Sequence, residues 1–352
     1  MDINREIGSE FWKTDILEGK MIRNESDYIY LLSGRTALDF IIRDIKVSKN
    51  IKFIYMPSYC CYTMILPFLQ NGISVEFYNV GFENGKFTYD IDFETKCDTI
   101  LIMQYFGYCN DQVVQSIERL RKNGKTIIED ATHSWFSKEP YSYLSDYVFA
   151  SLRKWTGIPC GAVAIKNYEN FIIPISDYSN NNYIDIRLKA ALLKKKYIEK
   201  NEGNKGKFLQ LFSQAENLLD LDYQDYSIPK YYEFIIAKID AEKIKKYRQT
   251  NANFLIEELS SFREIKTIFI NSKDTPLFVP IIVNKGRRDE LRQHLINNEI
   301  YCPVHWAISN EHKIDDFYLY KNSLSLVCDQ RYDLSNMKRI IKCIDDFYGK
   351  GV

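Results

Sequence analysis

Three short β-rich runs in the first half of this chain have apolar centres and no apolar–polar alternation: Thr99-Ile100-Leu101-Ile102-Met103-Gln104, Thr126-Ile127-Ile128-Glu129-Asp130 and Tyr147-Val148-Phe149-Ala150. A strand with one wet face alternates apolar and polar residues, so runs without alternation must be covered on both faces. Residues 52–56, stopped by Pro57, and 75–80 read as further strands. Between them, residues 36–45, 64–69 and 112–122 have helical spacing, the second ending at Asn71-Gly72 and the third just before Gly124. Buried strands alternating with helices from about residue 27 to 165 predict an α/β fold, its mostly parallel sheet covered by helices. Ligands of such sheets bind at the carboxyl ends of the strands.

The texture then changes twice. Residues 166–215 are polar, with Asn180-Asn181-Asn182 and Lys194-Lys195-Lys196, and read as a loop followed by one long helix. The lysine run reads as a solvated helix face. Beyond residue 228 the pattern predicts a helix over 231–259 carrying Arg248 and Asn251, a Pro-bounded strand over 276–283, a helix over 287–297, a strand over 324–328 and a last helix over 335–348. The expected division is therefore an N-terminal segment with a large domain, 1–215, and a small C-terminal α/β domain, 216–352.

Composition excludes some classes of function. Lys+Arg and Asp+Glu are 47 each, so there is no basic excess for a general nucleic-acid or anionic-membrane surface. The eight cysteines contain no Cys-x-x-Cys pair, which leaves no zinc spacing and predicts no metal. The amino terminus is polar and no apolar run reaches membrane-spanning length. A cytoplasmic protein with reduced thiols is the expectation.

Three places carry chemistry. Ser151-Leu152-Arg153-Lys154-Trp155-Thr156-Gly157-Ile158-Pro159-Cys160-Gly161 puts a lysine in a Gly/Pro-bearing loop between apolar runs. Alone, that is more often the pattern of a charged surface turn. Ser33-Gly34-Arg35-Thr36-Ala37 stands at a loop-to-helix junction, where a glycine lets an anion approach the helix N-terminus; Ser33 is also a plain N-cap. Asp130 closes a buried strand, where a carboxylate needs a cation or donors, or caps the next segment. A lysine, a carboxylate and an anion cradle at one sheet edge together fit a pyridoxal phosphate (PLP) site. There the lysine bonds the cofactor and the carboxylate keeps its ring nitrogen protonated. No Gly-x-Gly-x-x-Gly follows the first strand, so a dinucleotide enzyme is not indicated.

In order and spacing these segments resemble the DegT/DnrJ/EryC1/StrS family of fold-type I, PLP-dependent sugar aminotransferases. Ser33-Gly34-Arg35-Thr36-Ala37-Leu38 is similar to the family's Ser-Gly-Thr-Ala-Ala-Leu. Met56-Pro57-Ser58-Tyr59 resembles Val-Pro-Ser-Phe, Gln104-Tyr105-Phe106-Gly107 resembles His-Leu-Tyr-Gly, and Ile128-Glu129-Asp130-Ala131-Thr132-His133 resembles Ile-Glu-Asp-Ala-Ala-Gln/His. The lysine segment and Gly161-Ala162-Val163-Ala164 follow in turn. The resemblance covers residues 30–166 well and the rest loosely, through Ile300-Tyr301-Cys302-Pro303-Val304-His305-Trp306.

By that resemblance Lys154 matches the cofactor-bonding lysine, Asp130 the ring-nitrogen partner and His133 the contact to the ring hydroxyl. Gly34, Arg35 and Thr36 match the phosphate loop, with Ser151 a further phosphate ligand. The ring-stacking position falls near Cys61, flanked by Tyr59 and Tyr62. Arg187, with Asn182 or Asp185 before it, is the nearest match to an Asn-x-Arg element that reaches a neighbouring subunit's site. His305 is a substrate contact or a core histidine. Arg331 is an anion ligand or an ion pair with Asp329 or Asp333. The resemblance implies a homodimer with shared active sites that moves an amino group, glutamate being the expected donor, to a keto-sugar, nucleotide-linked, in surface polysaccharide or related synthesis. A small phosphorylated ketone as acceptor, or an inactive regulatory scaffold, remain the alternatives. A dehydrating branch of the family carries His where this chain has Lys154.

Overall fold

The computed structural model describes residues 6–14, 18–19, 28–139, 141–312, 314 and 316–349; the polar amino terminus up to residue 5 lies outside them. The chain runs through β1 (Ile7–Gly8), β2 (Ile29–Leu31), α1 (Gly34–Ser48), β3 (Phe53–Pro57), α2 (Tyr62–Gln70), β4 (Ser74–Glu83), β5 (Lys86–Asp90), β6 (Thr99–Met103), α3 (Asp111–Lys122), β7 (Thr126–Asp130), β8 (Tyr147–Ser151) and β9 (Ala162–Lys166). It continues through α4 (Asn181–Lys200), α5 (Lys205–Leu221), α6 (Lys230–Ala237), α7 (Ala241–Leu259), β10 (Ile265–Thr267), β11 (Val279–Val283), α8 (Arg288–Asn297), β12 (Ile300–Tyr301), α9 (Tyr318–Asn322), β13 (Ser323–Leu326) and α10 (Leu334–Tyr348).

Eight strands form the main sheet in the order β2-β9-β8-β7-β6-β3-β4-β5. The run from β8 to β4 is parallel, while β9 opposes both its neighbours and β5 opposes β4. Every residue of β6, β7 and β8 is buried, as expected of strands without apolar–polar alternation, and in β7 the burial extends to Glu129 and Asp130. Each fully buried Ile or Leu there contributes roughly 1.5–3 kcal/mol. The pairings Met103 with Asp130, and Asp130 with Phe149, bring the carboxyl ends of β6, β7 and β8 to one edge. Strand β5 was not expected. It forms a hairpin with β4 through Asn84-Gly85, both at positive φ (47° and 71°), the two-residue turn that suits the twist of paired strands.

The smaller sheet, β10-β11-β13, is antiparallel. Its core joins Leu255, Val279, Leu291, Leu324 and Ile340 with Ile7 and Trp12 from the amino-terminal segment. That segment enters as β1, parallel to β12. Gly107 (φ 86°) locks the two parts together: Thr275 N–H donates to its carbonyl, and a Cβ there would fall 1.9 Å from the Thr275 oxygen.

Several expectations are corrected. The stretch after residue 166 holds two helices, because Asn201 adopts a left-handed conformation and closes α4. The expected domain limit at residue 215 falls inside α5. The helix expected over 231–259 is split into α6 and α7, the second capped by Asp240, which accepts from Lys243 N–H at 2.9 Å. The lysine run is not wholly a solvated face. Lys194 is completely buried: its Nζ lies 3.2 Å from the Glu6 carboxylate and donates to the Glu10 carbonyl at 2.8 Å. Glu6 also pairs with Lys205 at 2.5 Å.

Burial, and secondarily the charge of Arg331, push the Lys194 ammonium down to about 8 against the pull of Glu6. The unfolded chain then binds the extra proton between about pH 8 and the ordinary lysine value of 10.5. Stability from this group therefore rises with pH across that window. Lys194→Met should remove the rise. Urea unfolding at pH 8 and 10.5 should show the native chain gaining on the mutant by up to about 3 kcal/mol; a difference that is flat, or that falls with pH, contradicts the assignment.

Candidate active site

The carboxyl ends of β3, β6, β7 and β8 and the amino end of α1 converge, and each brings one component. Strand β7 delivers Asp130. Its Oδ1 accepts from Thr132 N–H at 2.8 Å. Burial raises this carboxyl to about 6, while the Thr132 bonds and the nearby Lys154 charge pull it down. His133 follows. Its Nδ1 accepts from Phe106 N–H at 3.2 Å, so the neutral ring carries its proton on Nε2. Burial, then Lys154, hold the imidazole down to about 3, and it stays uncharged.

Strand β8 ends in Ser151, and a single 3₁₀ turn, Leu152–Lys154, follows. The hydrogen bonds of this turn are well anchored. Leu152 N–H donates to the Gly161 carbonyl, and the indole N–H of buried Trp155 donates to the Thr132 carbonyl at 2.7 Å. Lys154 itself is accessible, on the wall of a cavity of about 530 Å³. It acts electrostatically on Asp130, His133, Cys61 and His305 alike.

At the start of α1 the Ser33 side chain accepts from Thr36 N–H, so the capping reading of Ser33 holds. The N–H groups of Gly34 and Arg35 have no acceptor within the helix. A Cβ on Gly34 would come within 3.0 Å of the Ser151 Cβ, and the Ser151 Oγ is buried without a partner. An anion at this corner would meet two backbone donors and an orphaned hydroxyl, so the residues present fit a phosphate. The expectation for two side chains is corrected. The Arg35 guanidinium turns to the last turn of α5, donating to the Leu219 carbonyl at 3.1 Å and pairing with Asp220 at 2.7 Å, where the helix dipole favours a cation. The Thr36 hydroxyl donates to the Tyr223 carbonyl at 2.7 Å.

Tyr59 is likewise corrected. It is buried, its hydroxyl shares a 2.7 Å hydrogen bond with Ser323, and its ring packs on Tyr105, Trp306 and Tyr320. Cys61 stands at the start of α2, its Sγ 3.0 Å from the Thr63 hydroxyl. Its thiol is raised by burial and feels both Lys154 and Asp130. Trp306, not anticipated, lies parallel to the His133 ring (centroids 5.8 Å, 15°). His305 shares a 2.8 Å hydrogen bond with Ser325 through Nδ1, and burial, then His133 and Lys154, keep it neutral.

The cavity joins Lys154 and His305 to residues that sequence reasoning missed, Glu10, Arg153, Glu216 and Arg292. Arg187, the nearest match to the element that reaches a neighbouring subunit's site, lines this cavity in its own chain. It pairs with Glu10 at 2.9 Å and with Glu216. Glu216, held between Arg153 and Arg187, drops to about 2 despite its burial. Arg331 forms the ion pair considered for it, clasping Asp329 at 2.8 and 2.7 Å. Only Arg153, adjacent to Lys154, carried any signal in the sequence. Glu10 and Glu216 reach the cavity from distant elements.

No protein-family profile and no curated protein sequence matches the chain. Solved structures do. The aminotransferase TlmJ from Streptoalloteichus hindustanus superposes with a TM-score of 0.65 at 12% identity, covering 91% of this chain and 85% of its own. The sugar aminotransferase CalS13 from Micromonospora echinospora gives 0.59 at 11%, covering 91% and 87%. The E. coli GDP-4-keto-6-deoxy-D-mannose-3-dehydratase with bound hydrated PLP gives 0.61 at 14%, covering 90% and 87%. The α/β architecture is therefore the fold-type I fold of these enzymes, over nearly the whole chain.

Proposed function

We propose that the protein is a PLP-dependent aminotransferase that moves an amino group from an amino acid, glutamate in the first instance, to a keto-sugar. The observation that carries this reading is the meeting of Lys154, Asp130 and the Gly34–Ser151 corner at one sheet edge, on a fold whose solved examples include PLP enzymes acting on sugars. A nucleotide-linked acceptor, a homodimer and a cytoplasmic setting belong to the same reading through the sequence resemblance.

Bound PLP would supply an electron sink for breaking the bond to hydrogen at the substrate's amino carbon. The chain's own groups would do the rest. The Gly34 and Arg35 N–H groups and the Ser151 hydroxyl would hold the phosphate. Asp130, partnered by Thr132, would hold a proton at the ring nitrogen. His133, neutral, would donate from Nε2 to the ring hydroxyl oxygen. The Lys154 amine, on the cavity wall, would take the proton from the substrate carbon and return it to the cofactor side as general base and acid. His305 would offer an uncharged imidazole in the same cavity.

Protein saturated with PLP should show visible absorbance that Lys154→Ala abolishes and that glutamate shifts to the near ultraviolet. Turnover in Lys154→Ala should fall at least ~100-fold, the scale of acid–base catalysis. Absence of lysine-dependent absorbance in the native protein would defeat the reading.

Gly34→Val tests the phosphate corner by itself. The added side chain presses on Ser151 and should weaken PLP binding at least tenfold in an absorbance titration. The general cost of overpacking, ~1–3 kcal/mol, should leave the chain folded by circular dichroism. Unchanged PLP affinity in the folded variant would remove the corner from the site.

A further inference from the structure

Six basic side chains, Lys154 among them, line the cavity against three acidic ones. Most of these bases are already engaged. Arg331 is clasped by Asp329. Arg187 and Arg153 share Glu216, and Arg187 also holds Glu10. Arg248 lies on the Trp155 ring and donates to the carbonyls of Pro276 and Leu277 and to the Gln330 side chain. Arg292, on α8, is different. It is half-buried on the cavity wall, and its Nε, like that of Arg153, is shielded from solvent without an acceptor, but unlike Arg153 it has no carboxylate of the described residues at its other nitrogens. Among the described residues it has neither a hydrogen bond nor an ion pair. A guanidinium in that state has lost hydration at Nε without replacing it, an arrangement that costs stability unless an anion arrives.

We propose that Arg292 is the specificity-determining anchor for an anionic group of the substrate, a phosphate or a carboxylate, whose reacting carbon lies at Lys154. This rests on the aminotransferase reading for the identity of the reacting end. The positive excess of the cavity draws an anion in. The planar fork of Arg292, which α8 brings to the cavity lining together with Ile296, receives it in bidentate fashion. Lys154 and His305 line the same cavity of about 530 Å³, so a ligand held there can meet both groups.

The test uses the full chain saturated with PLP and reads binding without turnover. Calorimetric titration with inorganic pyrophosphate in one arm and succinate in the other is repeated on Arg292→Gln and Arg292→Lys. Arg292→Gln should weaken one or both probes at least tenfold. Arg292→Lys, which keeps the charge but loses the fork, should weaken it less. Loss confined to pyrophosphate assigns a phosphoryl group, and loss confined to succinate a carboxylate. In steady state the Gln variant should raise KM for the substrate carrying that group and leave kcat nearly unchanged. Native affinity for both probes in a folded Arg292→Gln protein overturns the proposal, as does a native protein that binds neither. Visible absorbance is recorded on the same samples. Its absence from the native protein defeats the aminotransferase reading whatever the anions do. Its presence with unaltered anion binding defeats only the role of Arg292.

Discussion

Asp130 ends an apolar strand with its carboxylate inside the protein, and such a group persists only beside donors or a cation. Here the donor is Thr132 and the cation is Lys154. That single requirement ties three pieces of chain together. The turn after β7 must present the Thr132 N–H, β8 must pair with β7 in the register that brings Ser151 beside Thr132, and the 3₁₀ turn must set Lys154 within electrostatic reach. The hydrogen bonds serve this alignment directly, since the Thr132 hydroxyl accepts from Ser151 N–H and its carbonyl accepts from the Trp155 indole. His133 extends the arrangement to β6 through Phe106. The site is a property of adjacent parallel strand ends, and each strand contributes at its carboxyl terminus.

A second polar layer joins the amino-terminal segment to this edge. Glu6 meets Lys194 and Lys205, and Glu10 meets Arg187, which shares Glu216 with Arg153, the residue beside Lys154. These charges sit where the segment, the α4–α5 helix pair and the smaller sheet come together. The Lys194–Glu6 pair is fully buried, adds little net stability, and becomes costly when one partner is lost; the others are partly exposed and individually weak. Their clearer effect is positional. They hold the first described residues against the cavity and leave Arg292, like Lys154, without a hydrogen bond or ion pair among the described residues.

Strand identity was legible because the physics is local: an unbroken apolar run longer than a turn and shorter than a helix has few other uses. Asp130 and Lys154 stood out only together: alone, the lysine reads as a surface turn and the carboxylate as a cap, and the anion cradle at the same sheet edge changed both readings. Side-chain direction was not legible. Arg35 stands in the expected loop, yet α5, nearly two hundred residues later, offers its guanidinium a helix end and Asp220. Tyr59 follows the expected turn, yet Ser323 and a ring of aromatics receive it. Lys194 shares a polar run with neighbours that remain outside, and only Glu6 and Glu10, brought by β1, explain its burial.

The alternation of strands and helices in the first half of the chain, the mostly parallel sheet, and the placing of a lysine and a strand-end carboxylate at the carboxyl ends of its strands were determined by the sequence itself, because burial pattern and residue chemistry act over a few neighbouring positions. Which aromatic covers which ring, where each arginine points, and that a cavity with excess positive charge opens beside Lys154 were decided only by tertiary structure. Those outcomes depend on the partners that distant segments deliver, and a long flexible side chain takes whichever partner folding brings within reach.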